Sequence, residues 1–460
     1  MDQQKWEKIL TDETTRRRPA FFGRPHWTRR NFFQVMGAGI AGSFLAQEAK
    51  AEVCSAQSVT TVNKAENVIF ILLSGAPSHV DTFDFKMTNG VTPATAAPAT
   101  INGVLWPTGI LPKLGNMTSD FAVLRSVRSH ALVHSLAQTW AQIGRNPAGA
   151  LGNIAPNIGS IVALEKASQR RPSDILPTFL ALNSGGALGP GYLDSQYAPF
   201  KVNAGAALPN TANGFGQARW QEALTQMHAV DDVLRIDSPL GKAAEDMDGF
   251  YESAKSLMYN PAVNQVFTVV AADSQRYGNN AFGNACLVAK QALTANAGAR
   301  FVQITLGGWD MHTNIYTGAQ NIFTNGKILD DGLSALLSDL KGAGLLDKTL
   351  VVAVGEFGRT PQITAAAGRD HYANQFAFMA GGGVKGGRVI GQTNATGASI
   401  TDFGWSRNRE INVEDIEASI YSALGINWTN VCYNDPFKRG FEYVPNSPQD
   451  YWGPIDEVFK

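Results

Sequence analysis

Continuous apolar runs recur along the chain and predict the strands of a sheet that is buried on both faces. The clearest runs are residues 68–73, 176–183, 301–306, 350–354 and 376–380. A strand with one solvent-exposed face alternates apolar and polar residues, whereas a central strand of a parallel sheet does not. These runs therefore predict a mostly parallel sheet at the centre of the fold.

The segments between the later runs show helical periodicity. Five leucines between residues 329 and 340 fall on one helix face, and glycines at 342 and 344 end that helix before the next apolar run. Strand, helix and strand in this order predict the α/β class, a central mostly parallel β-sheet with helices on both faces. Residues 217–296 predict several successive helices, which we expect to form a helical insert or cap.

The first 51 residues form a segment apart from this domain. Residues 28–33, Thr-Arg-Arg-Asn-Phe-Phe, match the twin-arginine export signature, and a mildly apolar stretch and an Ala-Lys-Ala cleavage sequence at 49–51 follow it. An amphipathic helix with an incidental arginine pair is the alternative interpretation. We expect residues 1–51 to be a signal bound by the twin-arginine translocation machinery, residues 52–67 a linker, and residues 68–460 one α/β domain. The protein is then periplasmic or extracellular and exported in a folded state.

Composition and charge narrow the classes of partner. Apolar residues make up 44% of the chain and charged residues 17%, which is typical of a globular protein. Removing the net +4 of residues 1–51 from the formal charge of −1 leaves −5, with no basic cluster to favour nucleic acid. No apolar run is long enough to span a membrane, so we expect no membrane contact after cleavage.

The three cysteines are an odd number and widely spaced: Cys54, Cys286 and Cys432. No CxxC pair or zinc-knuckle pattern joins them. A protein that folds in the reducing cytoplasm before export is expected not to depend on disulfide bonds.

Polar residues that flank the apolar runs carry the candidate chemistry. In an open parallel sheet, ligands bind beyond the carboxyl ends of the strands. Asp310 and His312 follow one run and point to the same face of an extended chain, as two ligands of one metal would. The other acids, histidines and arginine at these positions are His79, Asp81, Glu356, Arg359, Asp370 and His371.

Mixed carboxylate and imidazole ligands suit zinc, manganese or iron, and a carboxylate-only subset suits calcium or magnesium. We therefore expect a divalent metal ion: zinc, manganese or calcium. The expected ligands are Asp81, Asp310, His312, Glu356, Asp370 and His371. We expect His79 or Arg359 to bind an anionic group of the substrate. Taken singly, each residue has a structural alternative: a helix cap for Asp81, a surface ion pair for Glu356 and Arg359, a core position for His312.

A nucleophile is less well defined. Residues 129–135, Ser-His-Ala-Leu-Val-His-Ser, bring two histidines near two serines in sequence. Ser135 and His134 are therefore the candidate catalytic residues, although either could instead position a helix or line the pocket.

Six segments together resemble an exported bacterial family called domain of unknown function 1501, placed in the alkaline phosphatase and sulfatase superfamily. They occur in family order and begin at residue 68: "VIFILLSGAPSHVDTFD", "GYLDSQYAPF", "RYGNNAFGNACLVAKQAL", "FVQITLGGWDMHTN", "VVAVGEFGRTP" and "GRDHYANQFAFMAGGG". The resemblance implies a mostly parallel sheet with metal ligands on its strand-end loops. By position, Asp81 resembles the first-strand acid, Asp310 and His312 the middle ligand pair, and His371 the late histidine.

Departures from the superfamily pattern limit what the resemblance implies. Phosphatase relatives carry an Asp followed by His where this chain has Glu356 and Phe357, and Asp310 and His312 are closer in sequence than the equivalent phosphatase pair. Both differences argue against a standard two-zinc phosphatase site. The C/S-x-P-S-R motif of formylglycine sulfatases is missing around residues 134–138. The sequence thus predicts an exported, metal-dependent hydrolase of small phosphate or sulfate esters. The alternative is a non-catalytic periplasmic binding or assembly protein on the same fold.

Overall fold

The computed structural model describes residues 54–185, 188–206, 208, 216–235 and 257–459. The predicted signal segment, residues 1–51, and part of the predicted insert lie outside the described residues. No helix in the described part of the chain is long and apolar enough to cross a membrane.

The strands, numbered in chain order, are β1 (Cys54–Ser55), β2 (Asn67–Leu73), β3 (Pro98–Ile101), β4 (Val104–Pro107), β5 (Phe121–Arg128), β6 (Phe179–Leu182), β7 (Phe200–Val202), β8 (Phe301–Leu306), β9 (Thr349–Gly355), β10 (Gly358–Arg359), β11 (His371–Tyr372), β12 (Asn374–Ala380), β13 (Arg388–Ile390), β14 (Gln392–Thr393), β15 (Ile400–Asp402), β16 (Val431–Cys432) and β17 (Phe441–Glu442). The helices are α1 (Pro112–Gly115), α2 (His134–Ile143), α3 (Ile158–Lys166), α4 (Gln217–Arg235), α5 (Pro261–Phe267), α6 (Ala271–Arg276), α7 (Ala281–Ala295), α8 (Ile322–Gly342) and α9 (Val413–Ala423).

An eight-stranded sheet with the order β13-β5-β12-β9-β2-β8-β6-β7 forms the centre of the domain. Its pairs are parallel except those of β12, which runs antiparallel to both β5 and β9. The predicted mostly parallel sheet is confirmed, and each of the five predicted apolar runs overlaps one of its strands.

Helices cover both faces of the sheet, as predicted. Alternate residues of β2 point to opposite faces. Ile69, Ile71 and Leu73 pack in one core with α7 and α8. Val68, Phe70 and Leu72 pack in a second core with α3 and α9. The α/β class therefore follows from a sheet that buries apolar side chains on both sides.

The predicted insert, residues 217–296, contains α4 to α7 in its described part. Helix α7 belongs to the main core: Ala285, Leu287 and Leu293 are buried in the same cluster as β8. This helix is a layer of the domain and not a cap above it.

The expectation that the domain does without disulfide bonds is wrong. Cys54 is bonded to Cys432 across 378 residues of sequence, and β1 pairs with β16 at the same point. The predicted linker also lies against the domain, since the backbone amides of Asn63 and Lys64 donate to carbonyls at the end of α9. The cysteine spacing gave no sign of this pairing because the two residues are 378 positions apart in sequence.

Replacing both cysteines with serine should lower the free energy of unfolding by about 2–4 kcal/mol, because the unfolded chain regains the freedom that the cross-link removes. Urea denaturation of the wild type and of Cys54→Ser/Cys432→Ser measures the difference. Wild-type protein treated with a reductant should match the double variant. Equal stability of oxidised and reduced wild type would contradict the prediction.

Candidate metal centre

The carboxyl edge of the sheet gathers side chains from distant parts of the sequence. Asp310 and His312 follow β8, and Glu356 follows β9. His371 precedes β12, and because β12 is antiparallel its first residues lie at this same edge. His134 is the first residue of α2, which begins a few residues after β5 ends.

Four of these residues converge on one point. His134, Asp310, His312 and His371 each offer one ligand atom, and these atoms lie within 4.8 Å of one another. Oδ1 of Asp310 is 3.3 Å from Nε2 of His134 and 3.0 Å from Nε2 of His312. The Nε2 atoms of His312 and His371 are 3.1 Å apart. We name these four residues the ligand cluster.

The second nitrogen of each histidine is held by an acceptor. Nδ1 of His134 lies 2.7 Å from Oε1 of Glu356, and Nδ1 of His312 lies 2.8 Å from Oδ1 of Asp370. In His371, Nδ1 lies 2.7 Å from the carbonyl oxygen of Leu132. An acceptor at Nδ1 keeps the proton there and leaves the Nε2 lone pair facing the cluster, which is how metal-binding histidines are oriented.

The donor set of the ligand cluster fits a divalent cation. Nitrogen lone pairs and a carboxylate oxygen this close repel one another unless a positive charge lies among them. Nε2 of His134 is buried and has no hydrogen-bond partner among the described residues. Three imidazoles and one carboxylate are ligands that suit zinc, and they suit manganese or iron as well.

The protonation states also favour metal binding. Burial alone would raise the pKa of Asp310, but the hydrogen bond and charge of Arg359 hold that pKa below its ordinary value. Burial, and then the nearby positive charges, lower the pKa of His371. The hydrogen bond that Nδ1 of His134 donates to Glu356 raises the pKa of His134, so at this residue a metal ion competes with a proton. An ionised Asp310 and a neutral His371 are the forms that bind metal.

Arg359 was predicted to bind an anionic substrate, and the structure gives it a different place. Its side chain is buried, and all its N–H groups face protein acceptors. Nη2 donates to Oδ1 of Asp310 at 2.6 Å and to the Gly75 carbonyl, while Nε donates to the Ala76 carbonyl at 3.0 Å. Nη1 faces His312 and the carbonyl of Arg369. Arg359 therefore positions Asp310, and its N–H groups are directed at protein acceptors.

The structure does not bring Asp81 or His79 to the ligand cluster. Both lie in a buried 3-10 turn, His79–Asp81, that turns the chain away from the end of β2. Asp81 forms a buried ion pair with Arg369, Oδ2 to Nε at 2.7 Å. Nε2 of His79 is 2.9 Å from the Gly397 carbonyl, and burial lowers the pKa of this histidine. The predicted metal role of Asp81 and substrate role of His79 have no support in this geometry.

Glu356 and Asp370 were predicted as ligands, but each instead contacts Nδ1 of a histidine in the ligand cluster. His134 was predicted as a catalytic residue, and its place is that of a ligand. Ser135, the other candidate nucleophile, is exposed in the first turn of α2. No hydrogen bond among the described residues joins its hydroxyl to the cluster.

Two supporting residues escaped the sequence analysis. Gln138 donates from Nε2 to Oε1 of Glu356 at 2.8 Å and to Oγ of Ser74 at 2.9 Å. Its position four residues after His134, on the same helix face, was a usable signal. Arg369 joins the loops after β8 and β9: its amide donates to the Met311 carbonyl and its Nη1 to the Thr360 carbonyl. Nothing in the sequence marks Arg369 as buried.

The fold is an α/β domain with a ligand cluster at the carboxyl edge of its sheet. Similar solved structures are members of the alkaline phosphatase and sulfatase superfamily. A protein in the alkaline phosphatase superfamily from Vibrio parahaemolyticus is 9% identical, with 88% of this chain and 77% of that chain covered and a TM-score of 0.38. The lipoteichoic acid synthase LtaP from Listeria monocytogenes is 13% identical, with 81% and 76% covered and a TM-score of 0.37. The PsFucS1 sulfatase from Pseudoalteromonas sp. is 12% identical, with 79% and 68% covered and a TM-score of 0.38.

The chain belongs to the family described as "Protein of unknown function (DUF1501)", whose model matches residues 65–440. This match confirms the family resemblance carried by the six sequence segments. No curated protein matches the chain.

We expect His371→Ala to lose most of the bound metal, because it removes one of four ligands without disturbing the buried core. Elemental analysis of protein purified without added metal should show about one equivalent in the wild type and a small fraction of that in the variant. His228→Ala, the same change on α4 outside the cluster, is the matched control. Equal metal content in all three proteins would contradict the metal centre.

Proposed function

We propose that the protein is an exported, metal-dependent hydrolase of phosphate or sulfate esters. One observation carries the proposal: three histidines fixed at Nδ1 direct their Nε2 atoms, with Asp310, to one point at the carboxyl edge of the sheet. Ligands bind at this edge in open α/β sheets.

The ligand cluster is open to solvent, as a catalytic centre requires. The side chain of Asp310 is 49% exposed and that of His312 is 42% exposed. A small ester can therefore reach the cluster from solution.

His134, Asp310, His312 and His371 would hold the metal ion. A divalent ion bound there supplies a Lewis acid that polarises an ester oxygen and makes water more acidic. Glu356, Asp370 and the Leu132 carbonyl orient the imidazoles, and Arg359 fixes the carboxylate of Asp310. The chain thus contributes an oriented ligand set whose supports are themselves held in place.

The substrate class rests on the sequence resemblance to the alkaline phosphatase and sulfatase superfamily. The ligand cluster does not require the Asp-His pair of the phosphatases or the C/S-x-P-S-R motif of the formylglycine sulfatases, both of which this chain lacks. The Asp-His pair belongs to a two-zinc site, whereas these four ligand atoms, within 4.8 Å of one another, suit a single ion. None of the four ligands is a cysteine, and no formylglycine is needed to bind the ion. The one free thiol, Cys286, is buried in the core.

Metal-loaded protein should hydrolyse at least one member of a panel of aryl and alkyl phosphate and sulfate esters. Asp310→Asn should lower kcat/KM at least about 100-fold, more than the loss of an outer hydrogen-bond partner costs a metal site. His228→Ala should keep the wild-type rate. Metal binding without turnover of any ester would favour the alternative, a periplasmic binding or assembly protein.

Export is the second testable part of the proposal. Arg29→Lys combined with Arg30→Lys should leave the protein in the cytoplasm, because the twin-arginine machinery recognises this pair. Fractionation of cells producing each variant measures the distribution. Arg17→Lys with Arg18→Lys is the matched control, since these arginines lie in the same segment outside the signature. Retention of both double variants, or of neither, would contradict a twin-arginine signal.

A further inference from the structure

A second polar cavity lies at the opposite end of the sheet from the ligand cluster. Its volume is about 300 Å³, and its lining includes Glu66, Lys166, Arg170, Asp174, Thr178 and Arg300. Glu66, Thr178 and Arg300 directly precede β2, β6 and β8, so the cavity is at the amino edge. Strands of this length place the two edges roughly 20 Å apart.

The acids of this cavity are neutralised by cations that do not line it. Glu66 pairs with Lys348 at 2.8 Å, and Asp174 pairs with Arg171 at 2.7 Å. In the described part of the chain, neither Lys166 nor Arg300 forms an ion pair with a carboxylate. Nζ of Lys166 donates to the Leu424 carbonyl at 3.0 Å, and Nη1 of Arg300 donates to the Asn67 amide oxygen at 3.2 Å. Lys166, Arg170 and Arg300 are therefore three positive side chains that line the cavity, and its two carboxylates, Glu66 and Asp174, each pair with a cation outside the lining.

These cations are close enough to repel one another. Burial lowers the pKa of Lys166 and that of Arg170, the charges of Glu165 and Asp174 respectively act against this, and the charge of Arg300 lowers both pKa values. Like charges held together in a half-buried cavity are an unfavourable arrangement that a bound anion relieves.

The position of Arg170 is fixed in advance. Its guanidinium donates to Oγ1 of Thr178 at 2.8 Å and to the carbonyls of Asp174 and Leu176 at 2.7 and 3.0 Å. Gly298 has a φ of +113°, and a Cβ atom there would lie 3.1 Å from Nη1 of Arg170 and 2.5 Å from the Leu176 carbonyl oxygen. Glycine therefore allows this loop to close around the arginine, and a rigid arginine loses little entropy on binding.

We propose that this cavity binds a small, multiply charged oxyanion, a phosphate or sulfate group that is free or carried by a small organic molecule. Guanidinium groups match the oxygens of such groups, and a lysine adds a point charge. The cavity shares no residue with the ligand cluster, so the proposal is independent of the hydrolase activity.

Isothermal titration calorimetry with inorganic phosphate, inorganic sulfate and glycerol phosphate tests the site. The titrations use the wild type and, to exclude binding at the ligand cluster, His371→Ala. We expect saturable 1:1 binding of at least one probe in both proteins. Tighter binding of glycerol phosphate than of inorganic phosphate would identify an organic ligand, and the reverse order would identify the free ion.

Lys166→Gln and Arg300→Gln should each weaken that binding about tenfold, the effect expected from losing one charge-assisted contact. Lys341→Gln is the matched control: it removes the same charge from an exposed lysine that pairs with Asp120 near the amino edge. Circular dichroism checks the fold of each variant, and Lys166→Gln alone decides if Arg300→Gln does not fold. Absence of saturable binding, or equal weakening by Lys341→Gln, would overturn the proposal.

Discussion

Two buried arginines, Arg359 and Arg369, hold together the loops that form the candidate metal centre. A guanidinium cannot lose its charge inside a protein, so each of its N–H groups must find an acceptor. Here the acceptors are carbonyls and carboxylates from the loops after β2, β8 and β9. The hydrogen bonds that satisfy the two buried guanidinium groups therefore also fix the relative positions of Asp310, His312 and His371. Removing either arginine would leave buried acceptors unpaired on several loops at once.

The sheet was predictable because its strands are buried on both faces and therefore lack alternation. Strand β5, second from one edge of the sheet, was missed because Arg125, Ser126 and Arg128 interrupt its apolar pattern. Arg125 is accommodated by the Phe83 carbonyl and by Asp84, partners that only the folded chain supplies. The antiparallel direction of β12 could not be predicted from the sequence, because an apolar run does not distinguish parallel from antiparallel pairing.

The rule that ligands gather at strand ends correctly placed Asp310, His312 and His371 together. The rule could not distinguish members of the ligand cluster from residues that hydrogen-bond its histidines, because sequence position does not tell how a side chain is oriented. Glu356 and Asp370 are therefore supports, and His134, taken from the first turn of a helix, is a member of the cluster. Asp81 follows a strand as the others do, but its turn is buried and it faces Arg369.

The bond between Cys54 and Cys432 gives the domain the connectivity of a closed ring. A single cut of the backbone at any exposed loop between these residues produces two chains that stay covalently joined. Such a nicked molecule can keep its sheet and its cluster, since both depend on contacts between segments far apart in sequence. The two pieces would separate only after reduction. Where proteases are present and thiol reductants are scarce, this connectivity would keep the domain in one covalent piece after damage to its surface loops.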